Sequence, residues 1–537
     1  MRQHYPLVWA TVVVLLFITF ICTFFTPAWE SNDDVTMSMV AHGYGGAAVA
    51  SPNLMFSNVV WGKLVQYLPT VQGIPGYSIA TLATIVIAAT LITSNMWRLG
   101  AGKVLCLAVL ILLFTRTTLF PQFTINSGLL MVAATLSWRV FAQCDEKLAL
   151  VSGALLALGS YLIRSPEFLL VLLVSLPIQP WAAFRQRTSG KLTLLTLATL
   201  IVLAHAVDVQ AYLTEDWQAF NALNPVRARF TDFGAGKLLS LRPDILLRHG
   251  FSVNDVTLVT SWFFADSNIA NPQRLGAMLA ELSIAPPLSI ALPNAWLGIR
   301  TLWHPDLLVM TLSALAAVVL RPSWRVAACW LICLAILATI GLLGRPGIGR
   351  VYFPLLALLI VAPLVNPAMR LPVPQLVVSR ITTAVLAVLA CFAAFGQFEK
   401  SQAFELAAAK VRADFAAFPR EPVVIWGDAF PFEMMYPVLN TSASRPLQLY
   451  GLGVSTLAPF STAYAEQRNN RGITDLFQKP SGVPFLAVDS QYDLLEIYCR
   501  EHFQGKLLEV SRRSVGNQIV SYRRCQVTAS PSLPAPK

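Results

Sequence analysis

The stretch PLVWATVVVLLFITFICTFFTPAWESNDD, residues 6–34, decides how the rest of the chain is read. From Pro6 to Thr26 it carries no charged residue and is long enough to cross a hydrocarbon core, which takes roughly 20 apolar residues. A secretory signal has a shorter apolar region and a small-residue cleavage site. Neither applies here, so the segment reads as an uncleaved first span. Just past Pro27 comes the acidic run Glu30-Ser31-Asn32-Asp33-Asp34, at the expected outer end of that span.

The composition points the same way. The chain is 55% hydrophobic and 12% charged, with a mean hydropathy of +0.60, whereas soluble domains carry roughly 25% charged residues. The formal charge of +11 does not indicate nucleic acid, because Arg and Lys stand singly or in short clusters between apolar runs. Runs at 77–97, 104–118, 126–142, 148–163, 168–184, 192–209, 307–320, 326–343, 351–365 and 381–395 bring the expected total to about eleven spans. With the N-terminus cytoplasmic, alternation puts Arg98, Lys103, Arg139, Lys147, Arg185, Arg187, Lys191, Arg321, Arg325, Arg370 and Arg380 inside, as the positive-inside rule requires.

The expected fold is an α-helical polytopic membrane protein of the inner (plasma) membrane with a small C-terminal α/β domain. Residues 1–398 form the transmembrane part, with outer loops at 28–76 and 211–303, and 399–537 form an outward-facing, periplasmic domain. In that tail the pattern predicts helices at 404–418 and 494–502 and strands at 423–426, 485–488, 507–510 and 519–522, giving a small mixed or parallel sheet. Of the eight cysteines, Cys499 and Cys525 alone lie in the tail. They are either a disulfide, which an oxidising compartment permits, or two unpaired buried thiols.

Ionisable groups near membrane depth are costly and more often functional than soluble ones. That makes Asp33 and Asp34 the catalytic candidates; the plainer reading is that Asn32 or Asp33 caps a helix running through Val40. The following His42-Gly43-Tyr44-Gly45-Gly46 offers glycines that let backbone approach a ligand. His42 by itself is weak evidence. Arg116, Arg164, Arg345 and Arg350 sit at span ends placed outside, against the trend of the inward arginines. Arginine suits bidentate phosphate contact, and the turn 344–352 adds glycines and Tyr352, so Arg345, Arg350, Arg164 and Tyr352 are candidate phosphate-binding residues. For Arg164 the competing reading is a local ion pair with Glu167. In the long outer loop, Trp217, Asn221, Arg227 and Asp232 suit sugar recognition, although aromatics such as Trp217 and Trp262 also dock interfacial helices on lipid. No Walker loop, CxxC pair or HExxH helix is present.

An acidic pair after the first span, many spans, and a soluble domain on the same outer face resemble the glycosyltransferase C superfamily, whose members include protein O-mannosyltransferases and lipid A aminoarabinose transferases. The resemblance implies a polyprenyl-phosphate-linked sugar donor, a glycan or lipid acceptor, and a general base or metal-associated carboxylate at Asp33 or Asp34. That family's pair often reads Asp-Glu; here it is Asp-Asp. No cofactor is indicated beyond a divalent cation held by the pair, and the bilayer is the remaining partner. Two other classes fit the same residues: a transporter or flippase of lipid-linked saccharides, and a non-catalytic scaffold for envelope assembly.

Overall fold

The computed structural model describes residues 5–282, 288–365, 374–440 and 446–527; Arg370 lies outside them. Each expected span except 168–184 falls on one helix, but fewer of these helices than the eleven expected reach span length. Among the described residues six helices are long and apolar enough to cross a membrane, and a seventh span results if Leu288–Trp303 and Pro305–Leu320, bent by 77°, act together. Lys147–Ile163 and Gly349–Val365 are apolar but shorter.

Burial separates centre from rim. The most apolar window of Phe123–Cys144 is 94% buried, against 22% for Tyr5–Phe24, so the former is the axis of the bundle and the latter a lipid-facing helix. Small residues let neighbours approach this axis, as expected where packing alone drives association. Gly128 meets Pro354 of Gly349–Val365, and Gly153 meets Trp138, with no room for a Cβ at either.

Two spans differ from expectation. The run 168–184 is no single helix: Ser165–Ser175 passes into a 3-10 turn, Leu176–Ile178, and a new helix starts at Trp181. Pro177 and Pro180 remove backbone donors there. An 11-residue helix spans about 16 Å, roughly half the hydrocarbon core. At the other end, Gln375–Asp414 is one helix of 40 residues covering both the expected last span and most of the expected amphipathic helix at 404–418.

The tail carries a mixed sheet of five strands: β1 (Val423–Ile425), β2 (Leu449–Gly451), β3 (Val483–Leu486), β4 (Gly505–Val515) and β5 (Gln518–Val527). The order is β2-β1-β3-β5-β4. β1 runs parallel to both β2 and β3, with Val424 opposite Tyr450 and Phe485, while β5 is antiparallel to β3 and β4. A disulfide between Cys499 and Cys525, with Cα atoms 5.6 Å apart, ties helix Asp489–Phe503 to β5.

The long outer segment is a chain of short helices rather than a loop, among them Gln218–Thr231, Val253–Thr260 and Pro272–Glu281. Its Phe230, Val256 and Phe263 share one buried core with Trp426, Tyr450 and Tyr498 of the tail. The glycines after His42 have a related use. Gly43 and Gly45 adopt left-handed backbone (φ 67° and 61°), and Gly45 and Gly46 accept hydrogen bonds from Leu449 and Thr462 of the tail. The sequence suggested glycines facing a ligand; Gly46 does line the candidate cavity, while the carbonyls of Gly45 and Gly46 also seat the tail.

Candidate active site

The acidic pair lies in the first turn of helix Asn32–His42, where the helix dipole favours negative charge. Successive helical positions point roughly 100° apart, and the two carboxylates diverge accordingly. Asp34 turns inward and is fully buried. Its Oδ1 accepts from the Tyr77 hydroxyl (2.9 Å) and the Phe123 N–H (3.1 Å), and its Oδ2 accepts from Ser31 Oγ (3.2 Å). Burial pushes its carboxyl well above the usual aspartate range and the neighbouring charge of Asp33 adds to this, against the pull of those three donors. The cap reading does not hold for Asn32 or Asp33: Ser31 is the N-cap of their helix and makes no side-chain cap bond, and it is Asp34 that accepts a first-turn N–H, that of Phe123 in the central helix Phe123–Cys144.

Asp33 faces a cavity of about 670 Å³, the size of a ligand site. Its Oδ2 lies 2.6 Å from Nη1 of Arg350, the second residue of helix Gly349–Val365. Arg164, Arg227, Asp232 and Arg345 line the same cavity. Arg164 sits in the extended break between two helices, its guanidinium beside the stacked rings of Phe56 and Phe123 (5.6 and 5.3 Å), donating to the Phe56 carbonyl. Among the described residues no ion pair joins it to the buried Glu167, whose Oε1 has no partner. Arg345 approaches Asp232 at 3.9 Å, beyond hydrogen-bond reach, and its side chain makes no hydrogen bond among the described residues. Arg345 thus stands at the cavity, its only ion pair among the described residues the long one to Asp232, and a guanidinium so placed is suited to an anion.

Other candidates lie elsewhere. The Nε2 of His42 accepts the Tyr77 N–H (3.0 Å), and the Tyr352 hydroxyl donates to the Gly298 carbonyl (2.7 Å). Trp217 packs on Tyr212, Phe220 and Phe460, and Asn221 donates to the Tyr212 carbonyl. None of these four is in the cavity wall, although Phe220 and Phe460 are. Arg116 pairs with Glu30 at 2.7 Å; this pair and Arg350 border a second cavity of about 330 Å³. Burial raises the Glu30 carboxyl, with Arg116 opposing.

The pair does not suit a cation. All three polar contacts on Asp34 are hydrogen-bond donors, and Asp33 is held by a guanidinium, so the two carboxylates do not converge as ligands. Asp255, Glu501 and His502 bring ligand atoms within 4.8 Å of one another outside the cavity wall. There Asp255 is committed to His502 Nε2 (2.8 Å) and the Ser252 N–H (2.9 Å), linking the outer segment to the tail.

The sequence reading named no tail residue for the wall. Asp428, which accepts from Asn32 at 3.4 Å, and the segment Gly451-Leu452-Gly453-Val454-Ser455 follow the carboxyl ends of β1 and β2. The cavity thus meets the carboxyl ends of two neighbouring parallel strands, β1 and β2. The available signal was Gly427-Asp428, immediately after the expected strand 423–426.

No family model matches the chain, and no curated protein matches it. Among solved structures the chain is similar to the crystal structure of ArnT from Cupriavidus metallidurans in the apo state, at 12% identity and a TM-score of 0.40, covering 96% of this chain and 97% of that one. It is likewise similar to that protein bound to undecaprenyl phosphate, at 12% identity and a TM-score of 0.38 with the same coverage.

Proposed function

We propose that the protein is a membrane glycosyltransferase that moves a sugar from a polyprenyl-phosphate donor to a glycan or lipid acceptor. The reaction takes place on the outer face of the inner membrane, with the N-terminus cytoplasmic and residues 399–537 periplasmic. The observation that carries the reading is the Asp33–Arg350 pair at 2.6 Å, in the wall of a ligand-sized cavity that also holds Arg164 and Arg345.

Asp33 is the base. An acceptor hydroxyl oxygen attacks the anomeric carbon while its proton passes to the Asp33 carboxylate. The bond between anomeric carbon and phosphate oxygen breaks, and its electrons stay on the lipid phosphate. Arg350, Arg164 and Arg345 stabilise that developing charge, which fixed cations do without reorganising. Arg350 borders both cavities, which gives the lipid-linked donor and the acceptor separate approaches to one cation. Asp34 is a positioning residue: its hydrogen bonds to Tyr77 and Phe123 hold the first turn of its helix so that Asp33 meets Arg350.

The test is glycan assembly in cells carrying Asp33→Asn. Loss of assembly with normal protein level is expected. Assembly at the wild-type rate would leave a lipid-saccharide transporter, which binds phosphate without breaking a bond, as the better account.

A further inference from the structure

Trp262 has the least ordinary backbone in the cavity wall. Its φ is +67°, a left-handed conformation that is unusual for a bulky residue and persists only where the surroundings over-determine it. Here they do. The Trp426 indole N–H donates to the Ser261 carbonyl at 2.5 Å, and the Phe264 N–H donates to the Leu452 carbonyl at 3.0 Å. Phe263, fully buried, packs on Trp426 and Tyr498. The tail therefore grips the residues on both sides of Trp262 and leaves the intervening ring at the cavity, partly exposed.

The ring is also fixed in orientation. The Arg227 guanidinium lies over it at 5.0 Å and is itself held by Asn224 Oδ1 at 2.9 and 2.7 Å. An indole held this way, half-open at a cavity of polar and charged groups, presents an electron-rich surface to the weakly positive C–H face of a pyranose. We infer that Trp262 is the platform on which a sugar ring of the substrate stacks, and that the tail sets its position through Trp426. The inference rests on the transferase reading for its choice of a sugar as the ligand. On this account the tail is part of the binding site.

The experiment uses the full chain in lipid nanodiscs, without donor, and methyl glycosides of common hexoses as probes, followed by saturation-transfer NMR. Trp262→Gly suits the left-handed backbone, which offsets part of the packing lost with the ring, and should weaken glycoside binding roughly tenfold, about 1.4 kcal/mol. Trp262→Phe, which keeps a ring, should stay within about threefold. Trp426→Phe removes the indole donor and should weaken binding about threefold in the wild type and not at all in Trp262→Gly, since coupled residues are non-additive. If Trp262→Gly cannot be purified, Trp262→Leu against Trp262→Phe carries the same comparison. Unchanged binding in Trp262→Gly or Trp262→Leu, an equal effect of Trp426→Phe in both backgrounds, or no glycoside binding by the wild type overturns the inference. Turnover is not read, so a wild-type rate in Asp33→Asn would sink the transferase reading and leave the role of Trp262 to be decided by these binding data.

Discussion

On the membrane side of the cavity, Asp33, Arg350 and Arg164 meet as full charges carried at the ends of packed helices, and the neighbouring Asp34 ties them to the bundle's most buried helix. On the tail side the wall is ring and backbone: Trp262 and the segment 451–455, brought together by a core that the outer segment and tail share. The contrast suggests a division of labour. Bond-making needs charges fixed to a fraction of an ångström, which packed helices provide, whereas recognition tolerates a wall assembled from separate segments.

Substitutions at Arg350 test that division most severely. Arg350→Ala removes both the partner of Asp33 and a phosphate cation and should lower turnover by about 10²- to 10³-fold, with glycoside affinity unchanged. Arg350→Lys keeps a point charge without the planar fork and should recover only part of the loss. Equal losses in turnover and glycoside affinity would mean that the two sides do not act separately.

The tail side is probed through its disulfide. Cys499 and Cys525 are 26 residues apart, a loop whose closure stabilises by about 3.5 kcal/mol. Cys499→Ser should lower the tail's unfolding temperature and raise KM more than it lowers kcat. A pure kcat effect would place the tail in the chemistry.

The smallest effects belong to Asp34. Asp34→Ala leaves the Phe123 N–H and the Tyr77 hydroxyl buried without an acceptor, costing about 1–3 kcal/mol of stability; Asp34→Asn keeps an accepting oxygen. The sign of the pH effect follows from burial, which holds the folded-state pKa above the unfolded one. The folded chain binds that proton more tightly, so the stabilisation is complete below the unfolded pKa of about 4 and is lost as pH rises towards the folded value. Asp34→Asn should therefore melt at an equal or higher temperature than wild type at pH 7 and lose this pH dependence. A large drop would mean that the carboxylate itself, ionised, holds the fold.

Much of the membrane part was legible in sequence, because an apolar run of span length has few alternatives in water. The broken helix near Pro177 and Pro180 was legible too, had the prolines been weighted above the apolar length. β2, Leu449–Gly451, was missed because three residues carry no periodicity. The paired arginines 345 and 350 read as one site, yet Arg350 meets Asp33 while Arg345 stands beside Asp232, a distinction five residues of sequence do not carry. Trp262 looked like any interfacial aromatic, and its restraint comes from Trp426, 165 residues from its partner Ser261. Long-range contacts of that kind leave no local pattern.

The central claim is that Asp33, and not its neighbour, takes the acceptor's proton. Its most direct measurement is the rate of sugar transfer from a polyprenyl-phosphate donor by the purified full-length protein, compared among wild type, Asp33→Asn and Asp34→Asn. The account predicts a loss of about 10²- to 10⁴-fold for Asp33→Asn and a rate within about threefold of wild type for Asp34→Asn, whose amide oxygen still accepts from Tyr77 and Phe123. Wild-type transfer by Asp33→Asn, or the larger loss falling on Asp34→Asn, would contradict it.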